Sequence, residues 1–115
     1  MFIRDNQGRK FEYRERLFDF QNQILDFEGK INHTEKRGCR TVLLINDVKL
    51  INDVKLDGKY ICKHVWSDLI SKVTKDLFQH GFSEGQTIKF RAKVRSYKNS
   101  KGQNNFGLEI KRIYW

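Results

Sequence analysis

The sequence contains no proline, and only two of its 115 residues are cysteine. Its eight glycines fall mostly at turn-like places. Disorder by composition is therefore excluded, except at the ends. Cys39 and Cys62 form no C-x-x-C pair, and Met1 to Lys10 is polar, without the apolar stretch of a signal peptide. Free thiols in a reducing, cytoplasmic compartment are expected. The longest apolar run, Val42 to Ile45, is strand-sized and far short of a membrane span, so no membrane partner is expected. Catalytic signatures are missing too. His33, His64 and His80 have no Cys, Asp or Glu at metal-site spacing. There is no Gly-rich phosphate loop and no G-x-S-x-G. Asp26 and Glu28 share a strand face, as ordinary solvent-facing residues do; a metal-dependent nuclease built on a barrel is the enzyme alternative. The expectation is no catalysis, no metal and no cofactor.

Positive charge and aromatic rings are abundant. Lys and Arg total 23 against 14 acids, a net charge of +9, and there are nine Phe, four Tyr and two Trp. A domain this small with such a balance carries a positive field that favours polyanions. Hydrophobic residues make up 38%, enough for one core in a single-domain length.

The periodicity changes along the chain. Tyr13, Leu17, Phe20 and Ile24 recur at three-to-four spacing and predict a short helix over 11–23, after a polar arm. From Leu25 the period becomes two: Leu25, Phe27, Gly29 and Ile31 alternate with polar residues, a half-buried strand with a bend or bulge expected at Gly29. His33 to Gly38 reads as a polar turn, and Arg40 to Asn46 as a second strand. The hexapeptide Ile45–Leu50 is then repeated at once as Ile51–Leu56. A shift of six keeps the same faces in and out, so a longer hairpin, a looped-out copy, or either copy in register are all open. Asp57-Gly58 is a turn signal, and Lys59 to Trp66 a third strand. Ser67 or Asp68 is placed to cap a helix through about Gln79, with Leu69, Ile70, Val73, Leu77 and Phe78 as its apolar stripe and Gly81 as its stop. Thr87 to Tyr97 and Phe106 to Trp115 are the last strands. The reading is an all-β fold with one or two helices. It is a five-stranded OB-fold barrel in the order β-β-β-α-β-β over 24–115, carrying the duplication at 45–56 and preceded by an arm and short helix at 1–23.

The fourth strand carries the strongest chemical signal. Ile88, Phe90, Ala92 and Val94 point one way; Lys89, Arg91, Lys93, Arg95 and Tyr97 point the other. From Gln86 to Lys101 there are six basic residues and no acid. Such a row repels itself unless an anion neutralises it, and a phosphate backbone does so with release of counterions. The turn after the first strand adds Lys36, Arg37 and Arg40, and the loop after the fourth adds Lys98 and Lys101. Single-strand binding also needs flat side chains on which bases stack. The candidates are Tyr60, Trp66, Tyr97 and Phe106. Tyr60, Cys62, His64 and Trp66 share one face of the third strand, Ile61 and Val65 the other, and either can be the core.

Thr41–Leu44, the run Asp57–Trp66 with its H-x-W, and the run Gly85–Val94 leading to Tyr97-Lys98 give the chain a resemblance. It resembles the small OB-fold single-stranded DNA-binding proteins of bacterial phages and mobile elements, over about residues 24–113. The resemblance implies a non-catalytic role in replication, recombination or element maintenance. The tandem hexapeptide departs from that pattern beside the binding face, and the acidic C-terminal tail of the usual cellular single-strand binders is missing. Expected partners are single-stranded DNA or RNA. A replication protein, onto which the barrel would dock as an interaction module, and a second copy of the chain are further candidates.

Overall fold

Period-two alternation reports a strand with one face in a core, and the strands that show it close into a barrel. The computed structural model describes residues 2–4, 10–12, 17, 20–51, 60–98 and 104–115. β1 (Phe2–Arg4) and β2 (Lys10–Glu12) form a small antiparallel ladder of their own. The barrel comprises β3 (Ile24–Arg37), β4 (Arg40–Leu50), β5 (Tyr60–Leu69), β6 (Thr87–Lys98) and β7 (Asn104–Tyr114), with α1 (Ser71–His80) between β5 and β6. The strands close in the order β3-β4-β5-β7-β6, β6 pairing back onto β3. Every pairing is antiparallel except the seam of Ser67–Leu69 with Leu108–Ile110. This is the five-stranded OB barrel, closed by the short β5–β7 seam and by β6 pairing with β3 over Ile24–Lys30. No helix among the described residues is long and apolar enough to cross a membrane.

The core lies inside the barrel. Ile88, Phe90, Ala92 and Val94 all face it, as their alternation predicts. Phe27 stacks on Phe90 with ring centroids 5.7 Å apart. On β5 the core face is that of Ile61 and Val65; His64 is exposed and Trp66 half-buried on the outer face, while Cys62 is buried against β4. Gly29 marks a bulge, as expected: the β3–β4 register shifts between Glu28 and Lys30. A Cβ there would lie 2.4 Å from Ile45 Cγ2, so β4 crosses β3 where β3 has no side chain. Across from it, Asp47 takes a left-handed conformation at φ 53°. The first hexapeptide copy is thus the one built into β4. Of the second copy, Ile51 donates its N–H to Asp26 O (3.1 Å), and 52–56 lie outside the described residues.

Several expectations are corrected. His33–Arg37 is strand rather than turn; β3 and β4 continue as a ribbon to a two-residue reversal at Gly38-Cys39, with Gly38 at φ 64°. The end of this ribbon buries neither face, so the apolar alternation that betrays a strand is missing. Neither Ser67 nor Asp68 caps α1. Ser67 is drawn into the parallel seam with β7, and the helix begins at Ser71 with Ile70 at its N-cap and no side-chain cap. At the other end Gly81, at φ 80°, donates its N–H to Leu77 O (3.0 Å) and closes the helix. Val73 and Leu77 are buried, but Phe78 is 56% exposed and off the core stripe. Of the short helix expected over 11–23, the described residues Leu17 and Phe20 take a 3-10 helical conformation, and 13–16, 18 and 19 lie outside the described residues. Phe11 and Glu12 belong to β2, Leu17 is buried in the barrel core, and Asn22 is at φ 67°. Asn22 N donates to Val94 O (2.8 Å) and Val94 N to Gln23 O (2.9 Å), so the segment is latched to β6. The apolar spacing there serves attachment to the core, and Tyr13 and Phe18 lie outside the described residues.

Two consequences are measurable. Ser67 Oγ is fully buried with no hydrogen-bond partner among the described residues. Leaving a hydroxyl unpaired is unfavourable, so Ser67→Ala is expected to stabilise the fold by about 1 kcal/mol in chemical denaturation. Deleting Ile51–Leu56 and deleting Ile45–Leu50 yield the same chain, because the copies are identical. That chain keeps one copy for β4 and joins it to the Asp57-Gly58 turn. It is expected to melt cooperatively with an unchanged far-ultraviolet dichroism spectrum.

Candidate nucleic-acid interface

The outer face of β6 is less bare than its own sequence suggests. Arg91 Nε donates to Asp26 Oδ1 (3.0 Å) and its Nη2 to Asp26 Oδ2 (3.3 Å), while Tyr114 Oη also donates to Asp26 Oδ1 (3.1 Å). Arg95 and Lys111 both bond Glu109. Glu28, cross-strand from Lys89, pairs with Lys49 at 3.9 Å. The row expected to repel itself is therefore interleaved with carboxylates from β3 and β7, which the register places between the cations. The hydrogen bonds of Lys111 and then Arg95 hold the Glu109 carboxyl below its ordinary pKa. The hydrogen bond to Asp26 pushes the Arg91 guanidinium up. Asp26 and Glu28 are thus engaged in ion pairs. Among the described residues no three His, Cys, Asp or Glu side chains converge to hold a metal ion.

The cations and rings that do converge meet at one end of the barrel. The β3–β4 ribbon, the outer face of β5 and the β6–β7 end enclose a groove of about 440 Å³. Arg37, Arg40, Trp66, Arg95 and Tyr97 all line it. Trp66 presents its ring outward from β5. The Arg37 guanidinium lies over that ring, 4.4 Å from its centroid, and His33 meets it edge-on at 5.5 Å. Arg37 is tied in turn to Glu35 (3.6 Å). Arg40 Nη1 donates to Asp68 Oδ1 at 3.2 Å with its side chain 65% exposed. Tyr97 is 42% exposed, and its ring lies across Gly107. A Cβ on Gly107 would stand 3.2 Å from Tyr97 Cε1 and 3.2 Å from the main-chain Trp66 O, so the missing side chain lets β5 approach closely and the Tyr97 ring lie flat on β7.

The other sequence-predicted residues lie elsewhere. Lys36 is exposed on the ribbon, opposite Thr41 and just outside the groove. Lys89, Arg91 and Lys93 lie along β6 beyond the groove. Tyr60 opens β5, six residues or about 20 Å of strand from Trp66. Lys98 ends β6, and Lys101 lies outside the described residues. Phe106 is 8% exposed and belongs to the core, so it is not a stacking platform; its side chain falls on the inner face of β7 with Leu108 and Ile110. Sequence reasoning missed Gly107, Asp68 and Glu109. Of these only Gly107, a glycine inside a strand, carries a sequence signal of close approach.

No protein-family model and no curated protein matches the chain. Among solved structures the chain is similar to that of Schizosaccharomyces pombe Pot1pC bound to ssDNA (CGGTTACGGT). The identity is 13%, the TM-score is 0.47, and the likeness covers 77% of this chain and 70% of that one. The barrel's strand order, and not this likeness, defines the fold.

Glu109 links the interface to acid stability. Its folded pKa is depressed, so its contribution is fully present above the unfolded value of about 4.3 and is lost as pH falls through the lower folded value. Thermal melts between pH 7 and pH 3 are expected to show a midpoint that falls at the acid end. In Glu109→Gln the fall is expected to be shallower.

Proposed function

We propose that the protein is a non-catalytic single-stranded DNA-binding module. It binds through the groove between the β3–β4 ribbon and the β6–β7 end. In keeping with the resemblance in its sequence, it would serve the replication, recombination or maintenance of a phage or mobile element. One observation carries the reading: two outward aromatic rings, Trp66 and Tyr97, share a groove with three arginines, Arg37, Arg40 and Arg95. Rings accept bases of any sequence, because every base has a π-face, and guanidinium groups accept the phosphates between them.

The ion pairs in the groove are compatible with this chemistry. Arg37, Arg40 and Arg95 are 46%, 65% and 57% exposed at the side chain. The pairs of Arg37 and Arg40 are exposed on both sides and contribute about 0–1 kcal/mol, so exchanging a carboxylate for a phosphate demands little there, while Glu109, 15% exposed, keeps Lys111 when Arg95 changes partner. In the free protein those carboxylates hold the guanidinium groups in place. The Arg37 guanidinium is itself a flat surface, and a base can enter beside it or replace it on Trp66. The remaining cations, Lys36, Lys89 and Lys93, add to the long-range field that draws a polyanion in.

Fluorescence anisotropy with labelled oligo-dT, the matching RNA and a duplex of equal length tests the proposal. Tight oligo-dT binding, weaker duplex binding and a log–log salt slope of about −2 to −3.5 are expected. Trp66→Ala and Tyr97→Ala are each expected to lower oligo-dT affinity about tenfold without loss of the cooperative melt. Arg91→Glu with Lys93→Glu, outside the groove, is expected to weaken binding less. Binding to none of the three probes would sink the reading and point to a protein partner for the positive surface. Tighter binding of the RNA would move it to an RNA ligand.

A further inference from the structure

A second cleft, of about 500 Å³, opens further along the outer face of the same strands. Leu44 pairs with Trp66 and Asn46 with His64, so Asn46 and His64 lie one outward step beyond the tryptophan platform. Asn32, Asn46, Asp47, Lys63 and His64 line it together with Leu44, so its hydrogen-bonding groups stand beside an apolar surface. Two bulges bring in the flanking members. The β3–β4 register shifts between Ile31 and His33, which leaves Asn32 outside the regular pairing. Asp47, at φ 53°, is the corresponding irregularity of β4. Bulges re-aim side chains, and these two set Asn32 and Asp47 into the cleft that Asn46 and His64 share.

The hydrogen-bonding inventory of the cleft is selective. His33 Nδ1 pairs with the Asn32 side-chain amide (2.7 Å) and orients it, and whichever amide group faces the ring, the NH2 keeps a hydrogen to donate. Asp47 makes no ion pair among the described residues. A bare carboxylate in a strongly basic protein repels a passing phosphate and accepts hydrogen bonds from a base. An ionised carboxylate accepts two donors side by side. Among the common bases only guanine carries two adjacent donors on its Watson–Crick edge, N1–H and the 2-amino group, with the O6 acceptor beside them. Asn32 Nδ2 is the matching donor for O6. Thymine offers one donor between two acceptors, and cytosine and adenine offer a single amino group.

We propose that this cleft reads a guanine of the bound strand through its Watson–Crick edge, with Asp47 accepting from N1–H and the 2-amino group. The inference rests on the single-strand reading above and gives it a sequence preference. The first hexapeptide copy then supplies both the β4 strand and, through Asn46 and Asp47, the reading groups.

Competition anisotropy against labelled oligo-dT tests it. The competitors are oligo-dT, the same strand with scattered guanines, and versions carrying 7-deazaguanine or inosine in their place. The guanine strand is expected to bind about tenfold tighter than oligo-dT. The 7-deazaguanine strand keeps the Watson–Crick edge and should match it. Inosine lacks the 2-amino group and should lose most of the gain. Asp47→Asn tolerates the left-handed backbone and is expected to bring the guanine-to-dT affinity ratio close to one. Equal affinity of the wild-type protein for oligo-dT and the guanine strand would overturn the inference while leaving single-strand binding intact. So would a ratio that survives Asp47→Asn. Displacement of the strand by free dGMP at micromolar concentration would overturn it in favour of a nucleotide site. Binding to no oligonucleotide at all fails the underlying reading, and this one with it.

Discussion

Closing five strands around so small a core forces the first of them to bend, and the rest of the molecule depends on that bend. β3 pairs with β4 on one side and with β6 on the other, so it must turn a corner between them. It does so at Gly29, where β4 approaches so closely that Ile45 occupies the space a side chain would need. The compensating irregularity of β4 at Asp47 follows from the same crossing. Once the corner is turned, Phe27 stacks on its cross-strand partner Phe90 inside the barrel and the alternating apolar face of β6 is enclosed. The bulges that close the barrel also decide which polar side chains leave the regular ladder and face outward.

Charge on this surface is organised by neighbours across the sheet more than by neighbours along the chain. Arg91 is held by Asp26 from β3, and Arg95 by Glu109 from β7. Strands in register sit about 5 Å apart, closer than successive same-face residues on one strand. A row of cations on β6 therefore meets carboxylates before it meets itself. At the groove Arg40 is likewise held by Asp68 from the neighbouring strand, while Arg37 pairs with Glu35 along its own strand, and their exposure leaves both able to change partners.

How legible the molecule is from its sequence varies by element. The alternation of Ile88 to Val94 gives a strand with a known inner face, and Gly29 in the first strand announces its bulge. The β3–β4 ribbon end is illegible, because a segment with neither face buried leaves no periodic mark. The helix start is misread because Ser67, a common capping residue, is taken into the parallel seam with β7. Phe106 looks like a stacking ring beside a polar loop, yet its parity on β7 turns it into the core. Trp66 is undecided on sequence grounds, since both faces of its strand carry apolar residues; burial of Ile61 and Val65 settles it outward.

The sequence by itself determined the order of strands and helix, the inner face of β6 and the excess of positive charge. These are properties of single segments and of totals, and hydrophobic periodicity and counting report them directly. The tertiary structure alone decided that Trp66 and Tyr97 line one groove, with the Tyr97 ring over Gly107. It alone decided that Asp26 and Glu109 neutralise part of β6, and that Asn32 and Asp47 face one cleft. Each of those is a relation between strands. Relations between strands are fixed by register, and register here is set by bulges whose one-residue offsets leave no trace in the periodicity of either partner.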